Sequence, residues 1–138
     1  MNKESFLREF MEEVWNKKNF QKINQYIHNE YTIHLDQDDP WEGKTLSHSE
    51  FKNRMIIGSF QPFPDMRFEI TSAIEEENCV AVTWVLTGTN LGKIGEHPPT
   101  KKAINTKGIT IYHFKNNLIS GHTQVFDKKT VMKQLGFL

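Results

Sequence analysis

Side chains suited to acid–base chemistry or hydrogen bonding share one face of a predicted strand near the end of the chain. His122, Gln124 and Phe126 are spaced two residues apart, and such residues point the same way from a β-strand. Thr110 and Tyr112 alternate in the same way on the preceding strand. We expect Thr110, Tyr112 and Phe126 to line, together with the two polar residues, an apolar pocket of the kind that usually binds a small ligand.

Within this pocket His122 and Gln124 are the candidate catalytic residues. An unperturbed histidine has a pKa near ~6.5 and can act as a base at neutral pH. A glutamine amide can only donate and accept hydrogen bonds. Enolisation next to a carbonyl would use His122 as the base, with Gln124 or Tyr112 donating to the developing oxyanion. The competing interpretation is a hydrogen-bonded histidine of the core or of its rim.

Other candidate ligand-binding residues lie outside these two strands. His34, on a short predicted strand, would sit near the mouth of the pocket and could offer a polar contact. Trp84 would form either a wall of the pocket or part of the core. Three aromatic residues predicted in loops could edge the entrance: Trp41, Phe60 and Phe63.

Several acidic residues are better explained by structural roles. Asp127 follows the strand one residue out of phase with His122 and is expected to cap the last helix. Asp36, Asp38 and Asp39 are expected in a solvated acidic loop. The six histidines form no His-x-x-x-His pair and have no cysteine partner at metal-ligand spacing, so we predict no metal site.

The composition limits the class of protein. A chain of 138 residues is expected to be one domain, residues 1–138. Its 17 basic residues balance its 17 acidic ones, without the basic footprint of a nucleic-acid binder. The single cysteine, Cys79, permits no internal disulfide, and no apolar run approaches the ~20 residues of a membrane span. We expect a cytoplasmic protein that binds neither nucleic acid nor membrane.

The hydrophobic pattern changes from helical to strand periodicity along the chain. Helices are predicted over residues 3–17, from Asn19 to about 27, and from about 48 to 57, where Ser47 and Glu50 form a capping box and Gly58 is the expected stop. A short strand is predicted at 31–35, and four long strands follow between residues 64 and 126. A last helix runs from Asp127 to Gly136. Helices followed by consecutive strands predict an α+β fold.

A set of ordered segments carries a resemblance that covers almost the whole chain. The segments are Tyr26-Ile27-His28, Phe63-Pro64-Asp65, Val80-Ala81-Val82-Thr83-Trp84, Gly88-Thr89-Asn90-Leu91-Gly92, Pro98-Pro99-Thr100-Lys101-Lys102, Gly108-Ile109-Thr110 and Gln134-Leu135-Gly136. In this order they resemble the SnoaL-like polyketide and ester cyclases of the nuclear transport factor 2-like superfamily. The resemblance implies a cone, in which a curved antiparallel sheet wraps around N-terminal helices and leaves a deep apolar pocket.

The resemblance also implies a chemistry, which this sequence departs from. The characterised cyclases close a ring by intramolecular aldol condensation on a polyketide ester, without metal or cofactor, with an acidic residue as acid/base. The ungapped match of residues 118–136 places Gln124 at the position of that acid. Thr110 falls at a pocket histidine, and Asn90 replaces another histidine. We therefore expect either a cofactor-independent cyclase- or isomerase-like enzyme acting on a hydrophobic carbonyl compound, or a non-catalytic protein of the same fold that binds an apolar ligand in this pocket.

The outward-facing strand positions suggest a third class of function, an interaction domain. They hold apolar or small side chains, namely Ala81, Thr83, Val85, Ala103, Ile109 and Ile111. Exposed apolar patches of this kind usually mark interfaces. The most frequent closed assembly is a two-fold pair. We therefore expect a homodimer formed through the outer face of the sheet.

Overall fold

The computed structural model describes all residues from 1 to 138. The chain forms one sheet and four α-helices, which are α1 (Lys3–Phe10), α2 (Ile23–Tyr26), α3 (His48–Met55) and α4 (Lys128–Leu135). The strands are β1 (Ile27–Asp36), β2 (Thr45–Leu46), β3 (Arg67–Glu75), β4 (Cys79–Thr89), β5 (Ala103–Lys115) and β6 (Leu118–Phe126). The expected α+β class is confirmed.

The sheet differs from the prediction in strand number and direction. It has six strands in the order β2-β1-β6-β5-β4-β3, whereas one short and four long strands were expected. Its four long strands are antiparallel neighbours, but β1 runs parallel to β6. The sheet is therefore mixed and not purely antiparallel, because the helical and loop segments after β1 return the chain to the far edge.

Two helices continue beyond their predicted α-helical form. α1 passes into a π-helical turn, Met11–Asn16, which buries Met11, Val14 and Trp15. α3 likewise continues through a π-helical turn, Ile56–Phe60, so the expected stop at Gly58 is wrong. Gly58 does not adopt positive φ. The helix ends instead where Pro62 removes a backbone donor.

The predicted caps and the last turn are confirmed. The capping box of Ser47 and Glu50 opens α3, and Asp127 opens α4 by accepting from the Thr130 amide at 3.0 Å. Gly136 ends α4 in the left-handed conformation. Between β5 and β6, Asn116 and Asn117 both adopt positive φ, 53° and 62°, as a two-residue hairpin turn requires.

The core lies between the helices and the concave face of the sheet. On β4 the alternating residues Val80, Val82, Trp84 and Leu86 are buried, and α1 packs against β3 and β4. Gly108 on β5 is needed here because a Cβ would lie 2.3 Å from Cζ2 of Trp84. Because position 108 carries no side chain, the Trp84 indole can pack directly on β5.

Candidate active site in the cone

An internal cavity of about 530 Å³ separates the helices from the sheet. Its walls are mainly aromatic, with side chains of Trp15, Trp41, Phe63, Phe68, Trp84 and Phe126. Charged and polar groups converge at one part of the wall, where Asp36, Arg54, His122 and Gln124 meet. A larger open groove of about 700 Å³ lies on the outer face. The buried charged and polar groups make the inner cavity the candidate active site.

Asp36 is the centre of the polar cluster and not part of a solvated loop. It is the last residue of β1 and only 2% exposed. Its Oδ2 atom accepts from Arg54 at 3.0 Å, His122 at 2.9 Å and Gln124 at 3.2 Å. The expectation of a solvated acidic loop is wrong for this residue. It holds for Asp38, which is exposed.

The second carboxylate oxygen of Asp36 is left open. Oδ1 makes no hydrogen bond to another residue, and the Nζ atom of Lys128 lies 4.0 Å away from it. Every fully buried side-chain nitrogen and oxygen of the protein has a hydrogen-bond partner. Oδ1 is therefore accessible from the cavity that Asp36 lines.

Arg54 compensates the buried negative charge. It projects from α3, and its Nη2 donates to Asp36 and, at 2.8 Å, to Asp39. Burial on its own would lower the pKa of Arg54, but the hydrogen bond and charge of Asp39, with Asp36, outweigh burial and raise it. The guanidinium thus places a permanent positive charge beside the buried Asp36 carboxyl group.

His122 bridges Asp36 and a buried tyrosine. Its Nε2 lies 2.9 Å from Asp36 and its Nδ1 lies 2.6 Å from the Tyr31 hydroxyl. Burial lowers the pKa of His122, against the opposing effect of Asp36. Burial also raises the pKa of Tyr31 well above its usual value. The network therefore assigns a neutral imidazole that donates from Nε2 and accepts the Tyr31 proton at Nδ1.

Gln124 is oriented by a second chain of hydrogen bonds. The Trp84 indole donates to Thr110 at 2.8 Å, and the Thr110 hydroxyl donates to Oε1 of Gln124 at 2.8 Å. The amide nitrogen of Gln124 must then face Asp36, where it donates. In this chain each group donates towards Asp36, as it does in the chain from Tyr31 through His122. Both chains of hydrogen bonds end on Oδ2 of Asp36.

The structure brings together most, but not all, of the predicted site residues. The cavity is lined by His122, Gln124, Trp41, Phe63, Trp84, Tyr112 and Phe126. Thr110 lies behind Gln124, fully buried. Phe60 packs between Trp15 and Phe20 instead of edging the entrance.

His34 lies on the opposite side of the sheet from the predicted mouth. It is exposed, and its ring lies 4.9 Å from the ring of His113. The two rings meet over Gly121, where a Cβ would be 3.1 Å from His34 Nε2. The physical reason is strand parity, because His34 follows the inward-facing Ile33 and points away from the cavity.

Three residues of the site were missed by sequence reasoning. Asp36 was expected in a loop, and the sequence-based prediction included neither Arg54 nor Lys128. A usable signal was the position of Arg54, three residues after the core residue Phe51, which puts a cation on the inner face of α3. A buried cation requires an acidic partner. No group of three or more His, Cys, Asp or Glu residues is placed to hold a metal ion.

Asn90, which replaces a family histidine, has a structural role. It is fully buried. Its side chain donates to the carbonyl oxygens of Pro62 and Gly92 and accepts from the Thr100 amide at 2.8 Å. These bonds fix both ends of the loop between β4 and β5, whose Ile94 reaches the cavity.

The curved sheet, the helical cover and the inner cavity define a protein of the α+β cone class. Residues 5–135 match the family model described as SnoaL-like polyketide cyclase, and the chain belongs to that family. No curated protein matches the chain. None of its helices combines the length and apolar character needed to cross a membrane.

Solved structures share this fold over their full length. A candidate polyketide cyclase from Acidithiobacillus ferrooxidans is 34% identical, with a TM-score of 0.90 over 99% of this chain and 95% of that chain. IdmH, a candidate polyketide cyclase from Streptomyces antibioticus, is 20% identical, with a TM-score of 0.81 and 99% of both chains covered. AclR from Streptomyces galilaeus, described as a candidate hydroxylase, is 20% identical, with a TM-score of 0.79 over 99% of this chain and 96% of that chain. One fold thus carries proteins described by different reactions.

Proposed function

We propose that this protein is a cofactor-independent enzyme of the polyketide or ester cyclase type, which abstracts a proton next to a carbonyl group of a hydrophobic substrate. The observation that carries the proposal is the open oxygen of Asp36. It is the accessible oxygen of a largely buried carboxylate, it faces the cavity, and it lacks a hydrogen-bond partner. Carboxylates in such surroundings are common general bases.

In this proposal the acid/base is supplied from β1 and not from β6. Gln124 cannot exchange a proton near neutral pH, but its amide nitrogen lies 3.2 Å from Asp36 Oδ2. The amide therefore serves to hold the carboxylate. The pocket keeps an acidic residue although the expected position carries none.

His122 becomes a positioning residue and not the base. Both ring nitrogens are already engaged, one by Asp36 and one by Tyr31. Accepting a proton from a substrate would require breaking one of these bonds and charging a buried ring. Asp36 Oδ1 can accept a proton without either cost, because Arg54, His122 and Gln124 all bond to the other oxygen.

The proposal is tested with 2-tetralone, a flat apolar ketone of a size that the cavity admits. Exchange of its α-protons in D₂O is followed by NMR with the wild type, Asp36→Asn and, as a control, Glu77→Gln, because Glu77 does not line the cavity. The control removes the same charge from an exposed residue. We expect the wild type to accelerate exchange and Asp36→Asn to lose ~10²–10⁴-fold of that acceleration. Equal rates with and without the wild-type protein would reject the proposal.

Ligand binding without turnover is the second candidate. The observation that favours it is the non-titrating Gln124, whose hydrogen bonds to Thr110 and Asp36 make it a fixed part of the wall. Saturable binding of 2-tetralone without proton exchange, unchanged in Asp36→Asn, would support this candidate over the enzyme.

A further inference from the structure

Besides Arg54, a second cation lines the cavity. Lys128 is the first residue of α4, and its side chain lines the cavity beside Asp36. Its Nζ atom lies 4.0 Å from Asp36 Oδ1, the oxygen assigned as the base. Arg54, by contrast, bonds to Oδ2 and to Asp39.

The ammonium group of Lys128 is held in place by three neighbours. It donates to the carbonyl oxygen of Gln37, it lies 5.2 Å from the centre of the Phe126 ring, and it faces Asp36. An ammonium has three donors, so hydrogens remain for a ligand in the cavity. The side chain is 33% exposed, which places the charge near the cavity entrance.

The spacing of Oδ1 and Nζ fits an enolisable carbonyl compound. In such a compound the α-carbon and the carbonyl oxygen are two bonds apart. The base and the oxyanion donor must therefore stand a few ångströms apart on the same side of the substrate. Fixed donors aimed at the atom where charge develops lower the barrier most when they need no reorganisation.

We propose that Lys128 is a catalytic residue whose ammonium group binds the enolate oxygen of the substrate. In the step, the C–H bond at the α-carbon breaks and its proton moves to Asp36 Oδ1. The electron pair forms the C=C bond, and the carbonyl π electrons move to oxygen. The resulting negative charge lies against Lys128, while Asp36 becomes neutral. This inference rests on the proposed function, because it names the partner of the same base.

The test uses 4-nitrophenol, whose phenolate resembles an enolate and whose ionisation is read from its absorbance. The binding protein is Asp36→Asn, because an amide at position 36 imitates the carboxyl group after it has taken the proton. Phenolate affinity is compared among Asp36→Asn, Asp36→Asn/Lys128→Met and Asp36→Asn/Lys129→Met. Lys129 is the matched control because it is exposed and makes no hydrogen bond or ion pair.

We expect Lys128→Met to weaken phenolate binding about tenfold or more, less than the ~10²–10³-fold rate effect of an enclosed oxyanion donor because Lys128 is partly exposed. Binding of the neutral analogue 4-nitroanisole is expected to stay unchanged, as is phenolate binding by the Lys129→Met protein. Lys128→Arg should retain phenolate binding.

Two outcomes would overturn the assignment of Lys128. One is that Lys128→Met leaves phenolate affinity unchanged, or that the Asp36→Asn protein binds no phenolate. The other is equal loss of both probes, which would assign Lys128 a structural role through Gln37. Neither readout involves proton exchange, so failure of the proposed function in the 2-tetralone assay remains distinguishable from failure of this inference.

Discussion

The Nε2 atom of His122 lies 2.9 Å from the Oδ2 atom of Asp36, although the two residues are 86 positions apart in the chain. Arg54 donates to the same oxygen from α3. One carboxylate thus connects the first long strand, the third helix and the last strand at the cavity wall. Because the cluster is buried, its stability and its protonation are coupled.

Removing Arg54 should destabilise the fold strongly. Arg54→Met leaves the buried Asp36 carboxylate without its cation, and breaking one side of a buried pair typically costs ~3–5 kcal/mol. Chemical denaturation measures the loss. Arg67→Met is the control, because its pair with Glu12 is exposed and such pairs contribute ~0–1 kcal/mol. Adding Asp36→Asn to the Arg54→Met protein is expected to restore part of the lost free energy of unfolding. If it restores none, the loss does not come from the unpaired charge of Asp36.

His122 should make stability depend on pH below neutrality. Its pKa is lowered in the folded state, so the unfolded chain takes up a proton first as pH falls below ~6.5. The free energy of unfolding should decrease from that pH down to the lowered pKa. His122→Gln should show a shallower decrease. His113 also has a pKa lowered by burial, so both proteins carry His113→Gln. If the free energy of unfolding changes with pH equally in the presence and absence of His122, the prediction is wrong.

Gln124→Glu should introduce repulsion that acid relieves. The new carboxylate would stand about where the amide now lies, 3.2 Å from Asp36 Oδ2. Two carboxylates this close raise the pKa of one of them. The variant should be less stable than the wild type at pH 7, and the difference should shrink as the pH falls through the raised pKa. The measurement is the free energy of unfolding of both proteins at pH 7 and at acidic pH. A difference in stability that does not change with pH would point to packing instead.

Gly108→Ala tests the close approach of Trp84 to the sheet. The added methyl would lie 2.3 Å from Trp84 Cζ2 and 2.6 Å from Phe126 Cβ. Overpacking of this kind typically costs ~1–3 kcal/mol, and the displaced indole should release Thr110. Thermal unfolding and tryptophan fluorescence measure the two effects. A variant with unchanged stability and unshifted fluorescence would show that the packing of Trp84 on β5 does not require glycine at position 108.

We propose that the outer face of the sheet forms a homodimer. Ile109 is 55% and Val125 is 67% exposed there, beside Thr83 and Val85 in the open groove. Val125→Lys should convert a dimer into a monomer in sedimentation equilibrium, while Leu91→Lys, at an exposed position in the loop after β4, should not. A strictly monomeric wild type at tens of micromolar would reject the proposal.

The strand face at the end of the chain was predictable because alternation holds there. His122 and Gln124 do point inward with Tyr112, as their spacing indicated. Asp36 escaped prediction because a bulge interrupts β1. Ile33 pairs with His122 and Leu35 with Thr123, which leaves His34 as an extra residue and returns Asp36 to the inner face. Sequence periodicity does not reveal such an insertion.

The parallel pairing of β1 with β6 has a consequence for the order of folding. β3, β4, β5 and β6 follow one another along the chain and pair as neighbours, so their contacts close short loops and can form early. β1 has only the two-residue β2 as its other partner. It must therefore wait for β6 before it can join the sheet. In a chain that emerges from the ribosome, most of the aromatic wall residues would be present before the acid–base centre could assemble, because that centre needs residues of the last strand.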